Sequence, residues 1–178
     1  MSDYKGEASI TIQAPTETVY AYLADFTKHP EWVKNISKIT QISPGPVGVG
    51  TVFKAQEGAP PVTPGRKVRM MLQFVLGVIG GAKSYSEARI TALEPARRIA
   101  WQAGIPKGDG FFNQADWEFA LEARGAATHL TQCFHWKPQN PTAERMVRVA
   151  GVEGLRSAVA VSLLELKRRL ETNAPSRG

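Results

Sequence analysis

The 178-residue chain carries 22 Lys and Arg against 16 Asp and Glu, a formal net charge of +6, and one cysteine, Cys133. A lone cysteine excludes an internal disulfide, and the length suits one domain over 1–178 with a substantial core. The longest apolar run, Met70 to Ile79, is too short to span a bilayer, and the opening MSDYKGEAS lacks the apolar core of a signal peptide, so a cytoplasmic protein without an integral membrane segment is expected.

Ala8, Ile10, Ile12 and Ala14 alternate with Ser9, Thr11 and Gln13, which predicts a strand with one buried face, ended by Pro15. Thr16 then caps a helix with Val19, Tyr20, Leu23 and Phe26 at helical spacing, and a second short helical piece runs from His29 through Trp32 to Ile36. Asp25, just before Thr27-Lys28-His29-Pro30, reads as a local cap rather than a general acid. Pro44, Gly45, Pro46, Gly48 and Gly50 mark a turn between an Ile39/Ile42 segment and the strand Thr51 to Glu57, where Phe53 and Ala55 share a side.

Residues 58–83 break this rhythm. A proline-rich loop leads into Arg66, Lys67 and Arg69 and then the apolar run to Ile79, a pattern that fits neither alternation nor one helix face. A long hairpin and a short helix both remain open for this inserted lid or hairpin segment. It reads first as core or a homodimer contact, and otherwise as a lid over a cavity or a patch that touches a membrane transiently through 66–79.

Strands resume with Ser86, Ala88 and Ile90, then Ile99, Trp101 and Ala103, followed by an expected loop from Gly104 to Gln114. Trp117, Phe119 and Leu121 alternate with Asp116, Glu118 and Glu122; Leu130, Gln132, Phe134 and Trp136 share a side opposite His129, Thr131, Cys133 and His135. The longest helical pattern, Asn140 to Glu171, closes the chain ahead of a flexible tail, 172–178. Val152, Leu155, Val159, Leu163, Leu166 and Leu170 recur there at steps of three and four, the buried stripe of a helix. Counting back along the stripe reaches Arg148, and Gly151 and Gly154 leave volume beside it.

No glycine-rich phosphate loop, nucleophile elbow or paired-cysteine zinc pattern is present, and no cofactor or metal is expected. His129, Cys133 and His135, with Asp116 and Glu118 on a neighbouring strand, are acceptable zinc donors by type, but their parity places them on the outer face. The basic residues form no block and do not interleave with aromatics, so no nucleic-acid partner is expected. Gln132 and Arg148 are the better candidates, since a polar group on a buried face needs a partner or loses roughly 1–3 kcal/mol. They are the expected polar contacts of a pocket otherwise lined by Trp32, Phe53, Trp101, Trp117, Phe119, Phe134, Val152, Leu155 and Val159.

Taken in order, ITIQAPTETVYAYLADFTKHPEW (10–32), GVGTVFKA (48–55), ITALEPARRIAW (90–101), DWEFALEARGAATHLT (116–131) and the terminal helix resemble the START-like, helix-grip (SRPBCC) superfamily on its polyketide cyclase/dehydrase side. The resemblance covers nearly the whole chain. It implies an α+β helix-grip fold, a curved antiparallel sheet of about six or seven strands wrapped around a long C-terminal helix, with two short helices after the first strand. It also implies a deep cavity between sheet and helix that takes a hydrophobic small molecule such as a lipid, an acyl chain or a polyketide-like aromatic. Relatives on this scaffold also include cyclases, aromatases and ligand-responsive adaptors, so a cyclase/aromatase-type enzyme and a partner-binding adaptor are the alternatives. Under the enzyme reading Arg148 polarises a carbonyl and Gln132 holds an enol. Residues 58–83 depart from the short hairpin usual in relatives.

Overall fold

Alternating side chains organise into seven strands: β1 (Tyr4–Ile12), β2 (Ile36–Gln41), β3 (Val52–Glu57), β4 (Ser84–Glu94), β5 (Arg98–Lys107), β6 (Gly110–Arg124) and β7 (Ala127–Lys137). The computed structural model describes residues 4–57, 84–107, 110–138, 141, 144, 145, 148 and 151–172. The expected 58–83 lid or hairpin and the tail beyond Thr172 lie outside the described residues. All neighbours pair antiparallel in the order β1-β7-β6-β5-β4-β3-β2, so β2 to β7 form a meander and β1 adds to its far edge. Register shifts in β2, β4 and β5 bend their strands, as bulges do, and the sheet is curved.

Two short helices follow β1, α1 (Thr16–Ala24) and a 3-10 helix (Phe26–Glu31). Thr16 does not cap α1. It is the first helical residue, buried, and its hydroxyl accepts from that of Thr128 at 3.4 Å. Asp25 does cap the 3-10 helix, accepting from the Thr27 N–H at 3.1 Å. That helix ends before Ile36, which opens β2 instead.

Two other expectations change. The loop expected at 104–114 is largely strand, because β5 runs on to Lys107 and β6 begins at Gly110; the bulge between Ala103 and Ile105 interrupts the alternation that would have revealed it. The long terminal helix is also not continuous. Pro141, Glu144, Arg145 and Arg148 are helical, but Gly151 has φ +76°, a left-handed conformation outside any right-handed helix. Helix α2 (Val152–Thr172) starts immediately after it.

The stripe on α2 is graded. Val159, Leu163, Leu166 and Leu170 are buried in a core with Ile12, Val19, Leu23, Phe26, Ile99, Leu121 and Leu130, whereas Val152 and Leu155 are half-buried at its border. Along the free edge of β1, side chains of α2 satisfy exposed backbone groups. Arg156 Nε donates to Glu7 O at 3.1 Å, Lys167 Nζ to Thr11 O at 2.6 Å, and Glu171 Oε1 accepts from Gln13 N at 2.7 Å. Covering an edge in this way blocks its pairing with another chain.

Candidate functional site

Strand pairing turns the inner face of the sheet into rows of side chains. The deepest row is Ile99, Phe119, Gln132 and Ala8: Ile99 and Phe119 are fully buried, Gln132 is 7% exposed and Ala8 is half-buried. The next row is aromatic, running Ile90, Trp101, Trp117, Phe134 and Gly6. Trp101 and Trp117 stack with centroids 6.1 Å apart at 8°, and Trp117 meets Phe134 at 5.7 Å. The third row falls to methyl groups. Phe53, Ala88, Ala103, Ala115 and Trp136 follow one another across β3, β4, β5, β6 and β7.

Three alanines on the central strands beside a wall of indole and phenyl rings form a step. Among the described residues this step outlines a trough on the inner face, with Ala88, Ala103 and Ala115 as its floor, Trp101, Trp117 and Phe134 behind, and Phe53 and Trp136 at the ends of the row. Exposure follows the same gradient, since the alanines, Trp117 and Trp136 are half-buried, as are Val152 and Leu155 at the start of α2.

Two polar atoms on this face are unmatched. Gln132 Oε1 and Trp136 Nε1 are buried and have no hydrogen-bond partner among the described residues. Each such atom costs roughly 1–3 kcal/mol, and an acceptor and a donor left open in an apolar recess are the type of group that orients a ligand. Trp32 Nε1 is likewise unmatched, but Trp32 is sealed against Phe119 and His29, at 6.0 and 5.2 Å between centroids.

The other predicted site residues divide by depth. Phe53 stacks on Phe26 at 4.9 Å, Phe119 lies against Trp101 at 4.9 Å, and Val159 is buried on α2, so all three are held by core packing. Arg148 is not on the buried stripe. Its side chain is 69% exposed and reaches Glu144 Oε1 at 3.4 Å, because Gly151 ends the helical phase on which the count from Val152 relied. The Tyr4 hydroxyl and then the Glu144 carboxylate hold its guanidinium above the usual pKa. Since Tyr4 pairs with Trp136, Arg148 stands at the rim of the trough.

Glu57 escaped sequence reading, yet parity with Phe53 and Ala55 places it on the inner face. Burial pushes its carboxyl above the usual range, against a hydrogen bond from Ser86. Ser86 Oγ donates to Glu57 Oε1 at 2.5 Å. The imidazole of His29 is fully enclosed, with Nε2 2.9 Å from Leu23 O, and burial pushes its pKa down to about 4. It stacks on Phe26 at 4.5 Å and acts as core.

A second recess, a groove of about 650 Å3, is lined mainly by outward residues such as Lys5, Glu7, Arg98, Asp116, Glu118 and Cys133. Its charges meet one another: Arg98 Nε binds Glu118 at 2.8 Å and Lys137 pairs with Asp116. Burial works to raise the Asp116 pKa, but hydrogen bonds from Lys137 and Gln114 outweigh it and hold it low. Among the described residues no group of three or more His, Cys, Asp or Glu side chains is placed to hold a metal. No helix of the described residues is long and apolar enough to cross a membrane.

The fold is similar to that of Zhui aromatase/cyclase from Streptomyces sp. R1128, with TM-score 0.67 and 15% identity over 99% of each chain. It is also similar to a START superfamily protein from Mycobacterium smegmatis, with TM-score 0.64 and 15% identity over 94% of this chain and 97% of that one. At such identities the likeness is one of fold. A comparison with curated proteins finds no match. The family model described as polyketide cyclase/dehydrase and lipid transport matches residues 4–171, and the chain belongs to that family.

Proposed function

We propose that the protein binds an apolar small molecule, a lipid, acyl chain or ring-containing compound, in the trough between the inner face of the sheet and the start of α2. The observation that carries this reading is the step from Trp101, Trp117 and Phe134 down to Ala88, Ala103 and Ala115. Aromatic faces supply apolar area for a ligand to cover, at roughly 25 cal/mol per Å2 removed from water, and the alanines supply the room. Gln132 and Trp136 add an acceptor and a donor that a ligand's polar end can meet.

Likeness to an aromatase/cyclase favours a second reading, an enzyme that folds a polyketide-like chain in the same trough. Catalysis there draws chiefly on holding a flexible substrate in a reactive conformer. Gln132 is deep enough to hold an enol, whereas Arg148 meets only a chain that extends past Tyr4.

Native mass spectrometry of freshly purified protein, followed by titration with the apolar dye phenylnaphthylamine, tests the binding reading. A co-purifying apolar adduct, or one equivalent of dye that quenches tryptophan emission by energy transfer, is expected. A bare mass together with no dye uptake up to its solubility limit contradicts it.

A further inference from the structure

Glu57 is an acid on the apolar side of the sheet. Phe53 and Ala55, four and two residues before it on β3, are buried on that face, and the period of two carries Glu57 to the same side. Its carboxyl is fixed by Ser86, which lies two positions before Ala88 on β4. That is about 6.6 Å along the strand from the alanine floor.

Among the described residues no cation pairs with Glu57, and the Ser86 hydroxyl is its only hydrogen-bond partner. Its cross-strand register partners are Ile36 on β2 and Ser84 on β4. Of the nearby charges among the described residues, Lys38, paired with Gln56, and Lys34 are exposed, Lys54 lies over the outward Tyr85 ring at 4.5 Å, and Glu87 has outer parity. A carboxylate in such surroundings lacks the compensation a buried charge requires. A neutral carboxylic acid satisfies it, and unlike a carboxylate it can donate a hydrogen bond.

We propose that Glu57, oriented by Ser86, is a second hydrogen-bond donor of the trough beside Trp136 and receives a carbonyl oxygen of the ligand, which makes the ligand a neutral carbonyl compound such as a ketone, ester or thioester. The proposal rests on the trough being the binding surface. Ser86 occupies Oε1, and the proton of the acid resides on Oε2, which has no partner among the described residues. Burial raises the carboxyl pKa, with the Ser86 hydrogen bond opposing, and this widens the range over which the acid stays protonated. A ligand carboxylate is disfavoured, since it would put a second negative charge beside the first once Glu57 ionises.

Two dyes separate this from simple apolar uptake, namely prodan, a naphthyl ketone, and phenylnaphthylamine, which has no carbonyl. Each is titrated into the 178-residue chain from acidic to alkaline pH. Prodan affinity is expected to fall as Glu57 ionises, while phenylnaphthylamine affinity stays level. Glu57→Gln keeps a donor without a titration, so prodan binding should become independent of pH. Glu57→Leu should weaken prodan about tenfold, the worth of one hydrogen bond, and spare the other dye. If both dyes bind and prodan affinity is indifferent to pH and to both substitutions, the assignment of Glu57 is overturned and the trough remains. If neither dye binds, the trough itself fails as the binding surface, and this proposal with it.

Discussion

Gly6 on β1 lies directly under the ring of its cross-strand partner Phe134: a Cβ at position 6 would stand 2.5 Å from Phe134 Cζ and 3.0 Å from Arg156 Cγ. Three elements meet there. The ring of β7 covers the backbone of β1, and the stem of Arg156 covers both, which fixes one end of the aromatic wall. Gly6→Ala is therefore expected to destabilise by roughly 1–3 kcal/mol, the usual cost of overpacking, and to shift Phe134. Thermal melting checks this. An unchanged midpoint would mean that the ring yields freely and the wall is not rigid.

His29 makes stability acid-sensitive. Its pKa is lowered from 6.5 to about 4 in the folded state, so between those values the unfolded chain binds a proton that the folded one refuses. Stability is then lost as pH falls through this window, at up to about 1.4 kcal/mol per unit. Glu57 acts oppositely: its folded pKa is raised from 4.5, so its contribution improves as pH falls. Urea midpoints across this range for wild type and His29→Phe isolate the histidine, and a shallower slope in the variant is expected. Equal slopes would show that His29 is protonated in the fold.

Ala96 has φ +56° in the turn between β4 and β5, closed by the Arg97 N–H to Glu94 O at 3.0 Å. With Pro95 before it, this is the pattern of a type II turn, whose third position favours glycine. Ala96→Gly should stabilise by roughly 0.5–1 kcal/mol, as relief of left-handed strain exceeds the entropy lost by glycine. A lower melting temperature would contradict that balance.

The fold was legible because alternation and helical spacing are local properties of a chain. Parity alone put Trp101, Trp117, Phe134 and Gln132 on the inner side, and extending the Phe53/Ala55 parity by two residues would have found Glu57. The trough was not legible, because it depends on register. Ala88, Ala103 and Ala115 are unremarkable in their own strands, and only their pairing into one row beside Trp136 makes a floor. Arg148 was misplaced for a different reason. Counting by fours assumes unbroken helix, and a positive φ at Gly151 is invisible to periodicity.

Filling the floor is the sharpest test of ligand binding in the trough. Ala103 is half-buried in its middle, so Ala103→Leu adds bulk in the proposed binding space. Phenylnaphthylamine titration and thermal melting are measured on wild type and variant together. The variant is expected to melt within a few degrees of wild type, as for less than about 1 kcal/mol of strain, and to bind the dye at least about tenfold more weakly. Unchanged dye affinity would place binding elsewhere, and a melting temperature lowered as by core overpacking, about 1–3 kcal/mol, would mean that the chain itself already fills the trough.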